Sequence, residues 1–192
     1  MITEYCEGGD LRKNISELQK LPVKERLMRV WELFAQIALS LNHLHSHNVL
    51  HRDIKPENIF LMQDGSIRLG DFGLAKILTE NDYATYAGTK TTEQSDIFAF
   101  GCVIFELLTG QHPFQGKSKQ EHEMIENIKN GKVAQLPDWV SQGMKEIVMA
   151  MLSKKSEDRP KASVILEQDT IKMYLRSRNM NTRSNIPNNQ TN

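Results

Sequence analysis

The middle of the chain reads His51-Arg52-Asp53-Ile54-Lys55-Pro56-Glu57-Asn58, and Asp71-Phe72-Gly73 follows after residues 59–70. The intervening residues hold two short apolar segments on either side of an Asp-Gly pair at positions 64–65. Asp-Gly between two such segments is a strong signal for a β-hairpin. The hairpin would return the chain to its starting point, so Asp53, Asn58 and Asp71 are expected to lie close together.

Helical patterns stand on both sides of the hairpin. Asp10 is a candidate N-cap for a first helix. Residues 23–47 carry apolar side chains at steps of three and four, which predicts one long amphipathic helix with Asn48 as its left-handed C-terminal stop. Residues 96–108, with Ser95 as the expected cap, are apolar nearly all round, which predicts a helix in the middle of the domain.

The C-terminal third shows weaker patterns. Further helices are expected near residues 119–129 and 140–152, with a short one after Asp158-Arg159-Pro160. From about Leu175 the sequence is Asn, Arg, Ser and Thr with almost nothing apolar, which predicts a disordered tail. The chain is therefore expected to be mainly α-helical with a small β-hairpin.

Charge and cysteine content narrow the classes of partner and compartment. Lys plus Arg and Asp plus Glu number 24 each, so neither nucleic acid nor a membrane is expected as the main partner. Cys6 and Cys102 are far apart and lack metal-type spacing, which favours a reducing compartment over a disulfide scaffold. No signal-peptide pattern is visible, and the longest apolar run, 97–108, is too short to span a bilayer. A soluble cytoplasmic protein is expected.

The two central motifs resemble the catalytic loop and the Asp-Phe-Gly motif of the eukaryotic protein kinases, which a hairpin likewise joins. Lys55, two residues after Asp53, is the pattern of the serine/threonine kinases. The resemblance implies that the γ-phosphate of ATP is transferred, with Mg²⁺, to a protein hydroxyl. It makes Asp53 the acceptor of the hydroxyl proton and Lys55 the positive charge beside the transferred phosphoryl group. Asn58 and Asp71 become the magnesium ligands.

A second segment extends the resemblance to the nucleotide site. The stretch Thr3-Glu4-Tyr5-Cys6-Glu7-Gly8-Gly9-Asp10-Leu11 is similar to the kinase hinge, most of all to that of the NIMA-related kinases. The resemblance implies that the backbone of Glu4 and Cys6 binds adenine and that Asp10 lies near the ribose. Phe60 is assigned to the same cofactor site.

Three further residues match supporting positions of the family. Asp96 would bond the backbone of the catalytic loop and hold that loop in shape. His51 and Phe72 would form the lower half of the hydrophobic stack that links the two lobes of a kinase. Together these matches cover residues 2 to about 167.

The chain departs from the family pattern in two places. Its sequence opens at the hinge, with no Gly-rich loop, strand lysine or helix glutamate before it. Between Gly88-Thr89 and Ser95-Asp96 the family carries about a dozen further residues, which include an Ala-Pro-Glu motif. Arg159 would ordinarily pair with the glutamate of that motif, and Glu93 is the nearest substitute.

The expected architecture is therefore the C-terminal, large lobe of the kinase-like α+β fold, with the N-terminal lobe absent. Residues 1–167 are interpreted as an incomplete kinase domain, and residues 168–192 as a helix end followed by a polar tail. One hypothesis is a serine/threonine kinase that is weak or inactive on its own. The alternative is a non-catalytic, pseudokinase-like module that docks a partner on the upper face of the lobe.

Two smaller clusters leave alternatives open. His43 and His47 share one helix face, but no cysteine or carboxylate accompanies them, so a plain helix end is preferred to a zinc site. Thr85, Tyr86 and Thr89 follow the Asp-Phe-Gly motif, where kinases are often phosphorylated. Surface residues and a regulatory site remain equal alternatives there.

Overall fold

The computed structural model describes residues 6–78, 92–116 and 120–184. Two small antiparallel sheets lie among the helices of this part of the chain. The helices are α1 (Leu11–Lys20), α2 (Val23–Ser46), α3 (Glu93–Thr109), α4 (Glu121–Asn130), α5 (Gln142–Met151), α6 (Ala162–Leu166) and α7 (Asp169–Ser184). The strands are β1 (Val49–Leu50), β2 (Ile59–Leu61), β3 (Ile67–Leu69) and β4 (Lys76–Ile77).

The first two helices begin and end as their sequences predict. The Asp10 side chain accepts a hydrogen bond from the backbone N–H of Lys13 at 3.0 Å, which makes Asp10 the N-cap of α1. Helix α2 ends at Ser46, His47 is its C-cap, and Asn48 then adopts a left-handed φ of 57°. Asparagine tolerates that conformation better than most residues, so it turns the chain out of the helix.

The central helix α3 starts earlier than predicted. Thr92 is its N-cap, and Ser95 lies inside the first turn as the partner residue of a capping box. Ser95 was predicted as the cap, but its hydroxyl instead accepts from the backbone N–H of Thr92 at 3.3 Å. At the other end, Gly110 has a φ of 75°, a conformation that favours glycine and ends the helix as expected.

The core forms around α3, which packs against α1, α2 and α5. Phe100 of α3 is fully buried and meets the ring of Phe34 from α2 edge-on, with ring centroids 5.1 Å apart. Edge-to-face pairs of this kind add to the hydrophobic stabilisation of a core. The prediction of a buried helix at 96–108 is confirmed, and helices α4, α5 and α6 confirm the three weaker patterns.

The predicted hairpin is present as the β2–β3 pair. Ile59 faces Leu69 and Leu61 faces Ile67, with a left-handed Gly65 in the turn. A second pair, β1 with β4, was not predicted and joins the residues just before the catalytic loop to those just after the Asp-Phe-Gly motif. The two pairs together fix both ends of the segment that contains the predicted site.

Helix α7 corrects the expected tail. Disorder was predicted from about Leu175, but the helix continues through Ser184; residues 185–192 lie outside the described part. Ile171 is fully buried, and Tyr174 stacks on Trp31 of α2 with ring centroids 6.3 Å apart. These contacts anchor the first turns, and helix propagation beyond an anchored turn requires little further stabilisation. No helix in the described ranges is long and apolar enough to cross a bilayer.

Candidate active site

The segment before α1 pairs with the hairpin. The backbone N–H of Gly8 donates to the carbonyl of Leu61 at 3.0 Å, and the N–H of Leu61 donates to the carbonyl of Gly9 at 2.8 Å. A Cβ added to Gly8 would lie 2.7 Å from Cβ of Leu61, so this approach needs a glycine. The predicted hinge is thereby held against β2.

A cleft of about 830 Å³ opens between this hinge segment and the hairpin. Its wall includes four of the five residues predicted to bind the cofactor, namely Cys6, Asp10, Phe60 and Asp71. The fifth, Glu4, lies outside the described residues, as does Thr3. The remaining lining residues are Glu7, Gly9, Lys13, Arg68, Leu69 and Gly70.

Asp53, Lys55 and Asn58 form one hydrogen-bonded cluster. Nζ of Lys55 lies 2.6 Å from Oδ2 of Asp53, and Nδ2 of Asn58 donates to the same oxygen at 2.8 Å. Nδ2 of Asn58 also donates to the Asp53 carbonyl at 2.9 Å. The Lys55 ammonium, followed by the Asn58 amide, lowers the pKa of Asp53, so its side chain is a carboxylate at neutral pH.

The hairpin joins this cluster to the cleft. The N–H of Gly70 donates to the carbonyl of Asn58 at 2.9 Å, one step beyond the last paired residues of β2 and β3. A Cβ on Gly70 would lie 2.6 Å from the ring of Phe60, so the chain passes close to that ring. Asp71 follows with a φ of 58° and accepts from the N–H of Gly73 at 3.3 Å. Asn58 and Asp71 thus lie at the same end of one hairpin.

Asp96 of α3 anchors the catalytic loop, as the resemblance implied. Its two carboxylate oxygens accept from the backbone N–H groups of His51 at 3.0 Å and Arg52 at 2.8 Å. Arg52 has a φ of 68°, a left-handed conformation that costs on the order of 1 kcal/mol or more for a non-glycine residue. The buried carboxylate therefore stabilises a strained loop backbone.

His45 is a second anchor, which the sequence motifs do not indicate. Nε2 of His45 lies 2.9 Å from Oδ2 of Asp96, and both side chains are buried. A signal was present in the sequence, because His45 continues the buried stripe of α2 four residues after Leu41. A polar residue on an apolar helix face indicates that it has a buried hydrogen-bond partner. The sequence pattern does not identify which residue that partner is.

Arg12 is a third connection that sequence reasoning missed. Its guanidinium contacts Glu57 of the catalytic loop at 2.6 Å and Glu106 of α3 at 2.5 Å. Glu106 is buried, whereas the side chains of Arg12 and Glu57 are each nearly half exposed. Because these three residues are far apart in sequence, only the fold brings them together.

The aromatic contact predicted beside the loop is present. The rings of His51 and Phe72 have centroids 4.8 Å apart, and burial lowers the pKa of His51, which keeps the imidazole neutral. Phe72 is nonetheless 47% exposed, Leu74 58% and Ile77 68%. Three large apolar side chains within six residues thus face outward beside the site.

Arg159 does not pair with Glu93. Nε of Arg159 donates to the Ser153 carbonyl at 2.8 Å, and its Nη1 donates to the Gln94 carbonyl at 3.1 Å. Its guanidinium also lies over the ring of Phe98, 4.6 Å from the centroid. Within the described ranges no carboxylate forms an ion pair with Arg159, and its hydrogen bonds go to backbone carbonyls. Glu93 lies in the first turn of α3.

Thr85, Tyr86 and Thr89 lie outside the described residues. Among the residues that the structure does describe, no group of three or more His, Cys, Asp or Glu side chains is placed to hold a metal ion. A magnesium site at Asn58 and Asp71 would have one carboxylate and one amide from the protein, which is typical of that ion when phosphates and water complete its shell.

The hairpin, the loop cluster and the cleft agree with what comparison with known sequences finds. A sequence model of the protein kinase domain matches residues 1–171. This chain belongs to the protein kinase family, whose members are ATP-dependent enzymes that generally use Mg²⁺.

The relatives that this chain matches include NIMA-related serine/threonine kinases. "Serine/threonine-protein kinase Nek6" of Oryza sativa subsp. japonica is 36% identical over 187 residues, which cover 91% of this chain and 34% of the relative. "Serine/threonine-protein kinase Nek3" of Mus musculus is 36% identical over 180 residues, which cover 86% of this chain and 34% of the relative. "G2-specific protein kinase nimA" of Emericella nidulans is 30% identical over 224 residues, covering 96% and 32%. The chain thus spans about a third of the length of these relatives.

Proposed function

We propose that this chain is the catalytic-loop half of a serine/threonine kinase, which transfers the γ-phosphate of ATP to a protein hydroxyl. One observation carries the proposal. The Asp53–Lys55–Asn58 cluster is joined through Gly70 to a cleft that Asp71 lines and that is large enough for a nucleotide. A carboxylate, an ammonium and an amide beside a second carboxylate are the groups that phosphoryl transfer requires.

The catalytic cluster supports a division of roles. Asp53 carries a carboxylate at neutral pH because its pKa is lowered, so it can accept a hydrogen bond from a substrate hydroxyl and orient that oxygen. Lys55 is already within 2.6 Å of Asp53 and would hold a positive charge beside the group being transferred. The burial of the Asp96 anchor keeps both residues in place before substrate arrives.

The donor set also fits magnesium. Nδ2 of the Asn58 side chain donates two hydrogen bonds, both to Asp53. No described residue donates to Oδ1 of Asn58, so this oxygen is available to a cation, as is the carboxylate of Asp71. Carboxylate and amide oxygens suit Mg²⁺, which when bound would neutralise charge on the phosphates. In this proposal Asn58 and Asp71 bind the ion.

The cleft supports the assignment of the nucleotide. In this proposal the backbone of Cys6, which lines the cleft, binds adenine, and Glu4 is the second predicted contact. Asp10 retains a carboxylate because its pKa is lowered, chiefly by the backbone N–H of Lys13. Its place in the same wall suits a ribose hydroxyl. Phe60 supplies an apolar surface against which a base can pack.

We further propose that residues 1–167 form the large lobe of the domain, with a shortened activation segment. The alignment to Nek6 of Oryza sativa subsp. japonica covers 187 positions but only 91% of this chain, which is about 175 residues. At least about a dozen positions of the relative therefore have no counterpart in this chain. Arg159, without a carboxylate partner among the described residues, supports placing part of that difference before α3.

The test is phosphate transfer to a generic protein substrate by this chain joined to the upper lobe of Nek6 from Oryza sativa subsp. japonica. We expect activity that falls by at least about a thousandfold in Asp53→Ala and in Asp71→Ala, because positioning supplies most of the rate enhancement. The 192-residue chain alone should be slower by several powers of ten. Activity that persists undiminished in either variant would contradict the proposal that this chain is a kinase using Asp53 and Asp71.

A second candidate function rests on the exposed apolar side chains. Phe72, Leu74 and Ile77 lie within six residues of one another, and each is about half exposed or more. Large apolar side chains that are exposed so close together often mark a binding surface. In this alternative the lobe is a non-catalytic module that docks a protein through these side chains. Absence of magnesium-dependent ATP binding, together with a stable complex lost in Leu74→Asp, would favour the module over the enzyme.

For compartment, we propose a reducing, cytoplasmic setting. Cys102 is buried and burial raises the pKa of its thiol to about 12, while Cys6 lies on the nucleotide cleft. Both cysteines are free, as expected where thiols stay reduced.

A further inference from the structure

The exposed end of α2 carries two histidines in contact. His43 and His47 are one helical turn apart, and their ring centroids lie 4.5 Å apart at an interplanar angle of 48°. Both residues are exposed. No described residue forms a hydrogen bond with the His43 ring, so its lone pair is available to a ligand.

The proton on the His47 ring is fixed by its neighbours. Nδ1 of His47 lies 2.8 Å from the carbonyl oxygen of His43, an acceptor that the end of the helix leaves without its usual backbone donor. The hydroxyl of Ser46 donates to the same carbonyl, so the hydroxyl oxygen, 3.2 Å from Nδ1, is an acceptor as well. Nδ1 of His47 therefore carries the hydrogen, and Nε2 keeps a lone pair. Metal-binding histidines are oriented by this same type of bond to a backbone carbonyl.

The spacing of the rings fits a chelate. With metal–nitrogen bonds of about 2.0–2.1 Å, a bound metal lies roughly 3.2 Å from each ring centroid. Two such rings at a right angle to each other about the metal have centroids about 4.5 Å apart, whereas a tetrahedral angle gives about 5.2 Å. The observed 4.5 Å matches the right angle, which is found in square-planar and octahedral complexes.

We propose that His43 and His47 form a two-histidine chelating site for a divalent transition metal of the copper or nickel type. The other coordination positions would be open to water, because no third His, Cys, Asp or Glu joins the pair among the described residues. Imidazole nitrogen suits these ions, and affinity should follow the order copper, nickel, zinc. Mg²⁺ prefers oxygen ligands, so the site is separate from the one proposed at Asn58 and Asp71.

The site would act on the last turn of α2. The two rings can bind one ion only while α2 continues to Ser46 and His47 caps it, so metal binding would stabilise this helix end and with it the folded state. The next residues of the chain are Asn48, the strand β1 and then the catalytic loop. The metal therefore sits on the helix that positions the loop, although neither ligand belongs to the loop.

Binding of Ni²⁺ to the untagged 192-residue chain, measured by isothermal titration calorimetry, is the first test. We expect the affinity to fall about a hundredfold in His43→Gln and in His47→Gln, because a chelate becomes a single contact. His43→Gln leaves the cap formed by His47 intact and so separates ligand loss from helix damage. His122→Gln, which removes an exposed histidine on α4, is the matched control and should bind as the wild type does.

A spectroscopic test needs no substitution at either histidine. One equivalent of Cu²⁺ is added to the Cys6→Ser variant, which lacks the thiol of the cleft. The electron paramagnetic resonance spectrum should then show coupling to two similar nitrogens. The melting temperature of the protein should rise when the metal is added. One nitrogen only, an affinity unchanged in His43→Gln, or an equal loss in His122→Gln would each overturn the proposal.

Discussion

The catalytic loop and the turn that carries Asp71 lie side by side, yet the fold holds them in different ways. The buried carboxylate of Asp96 holds the loop in place, because it accepts two hydrogen bonds from the loop backbone. The same carboxylate contacts His45. The turn at Phe72–Leu74 is bounded by the short β1–β4 pair, and its apolar side chains are largely exposed. The fold thus pre-organises the loop, while the apolar side chains of the turn stay exposed.

The largest effect should come from removing the loop anchor. Asp96→Ala leaves two backbone N–H groups and His45 without their acceptor in a buried place. We expect the free energy of unfolding to fall by about 4 kcal/mol, measured by urea denaturation. Asp158→Ala, at an exposed position, should change it by less than about 0.5 kcal/mol. A loss below about 1 kcal/mol for Asp96→Ala would contradict the proposed difference between loop and turn.

A second large effect is expected at Arg12. Arg12→Ala leaves the buried carboxylate of Glu106 without its cation, so stability should fall by about 2 kcal/mol, less than for a fully buried pair because Arg12 is partly exposed. Glu57→Gln removes only the exposed ion pair and should cost less than about 1 kcal/mol. The double variant Arg12→Ala with Glu106→Gln should recover part of the loss, since no buried charge remains. Additive losses in that double variant would show that Glu106 does not need Arg12.

A moderate effect is expected from acid. Burial lowers the pKa of His51 and of His112 below 6.5, so below that pH the unfolded chain takes up protons that the folded chain does not. Because the unfolded state then binds more protons, the free energy of unfolding decreases as pH falls below about 6.5. His112→Gln should make this decrease shallower in urea denaturation at several pH values, whereas His122→Gln should not. If the free energy of unfolding of His112→Gln depended on pH as steeply as that of the wild type, His112 would not contribute to the acid sensitivity.

The smallest effect is expected on the exposed turn. Phe72→Ala removes a ring that is 47% exposed and that contacts the ring of His51. The stability of the 192-residue chain should therefore fall by less than about 1 kcal/mol. With an upper lobe attached the same substitution should cost more, because the ring would then be buried between the lobes. Equal costs in the two forms would show that nothing covers the turn.

Much of this fold could be predicted from local sequence signals. The N-cap at Asp10, the long helix α2 with Asn48 at its end, and the hairpin around Gly65 all depend on neighbours within a few residues. The start of α3 was misplaced by three residues because Thr92 and Ser95 are both good caps, and only the geometry assigns one to each role. Local patterns locate elements better than their ends.

The rest depends on contacts distant in sequence. Motif spacing predicted Asp53, Asn58 and Asp71, but the partners of the loop, His45 and Arg12, come from helices whose packing no local pattern specifies. The same holds for α7, where a polar sequence is helical because Tyr174 meets Trp31 across the fold. Propensity alone predicted a tail there, and tertiary packing prevailed.

Magnesium-dependent ATP binding by the 192-residue chain tests the proposed site most directly. Calorimetric titration of ATP with and without Mg²⁺ should show weak binding that needs the ion and is lost in Asp71→Asn, with Asp158→Asn as the unaffected control. Binding of equal strength without Mg²⁺, or in Asp71→Asn, would contradict the assignment of Asp71 and Asn58 as metal ligands.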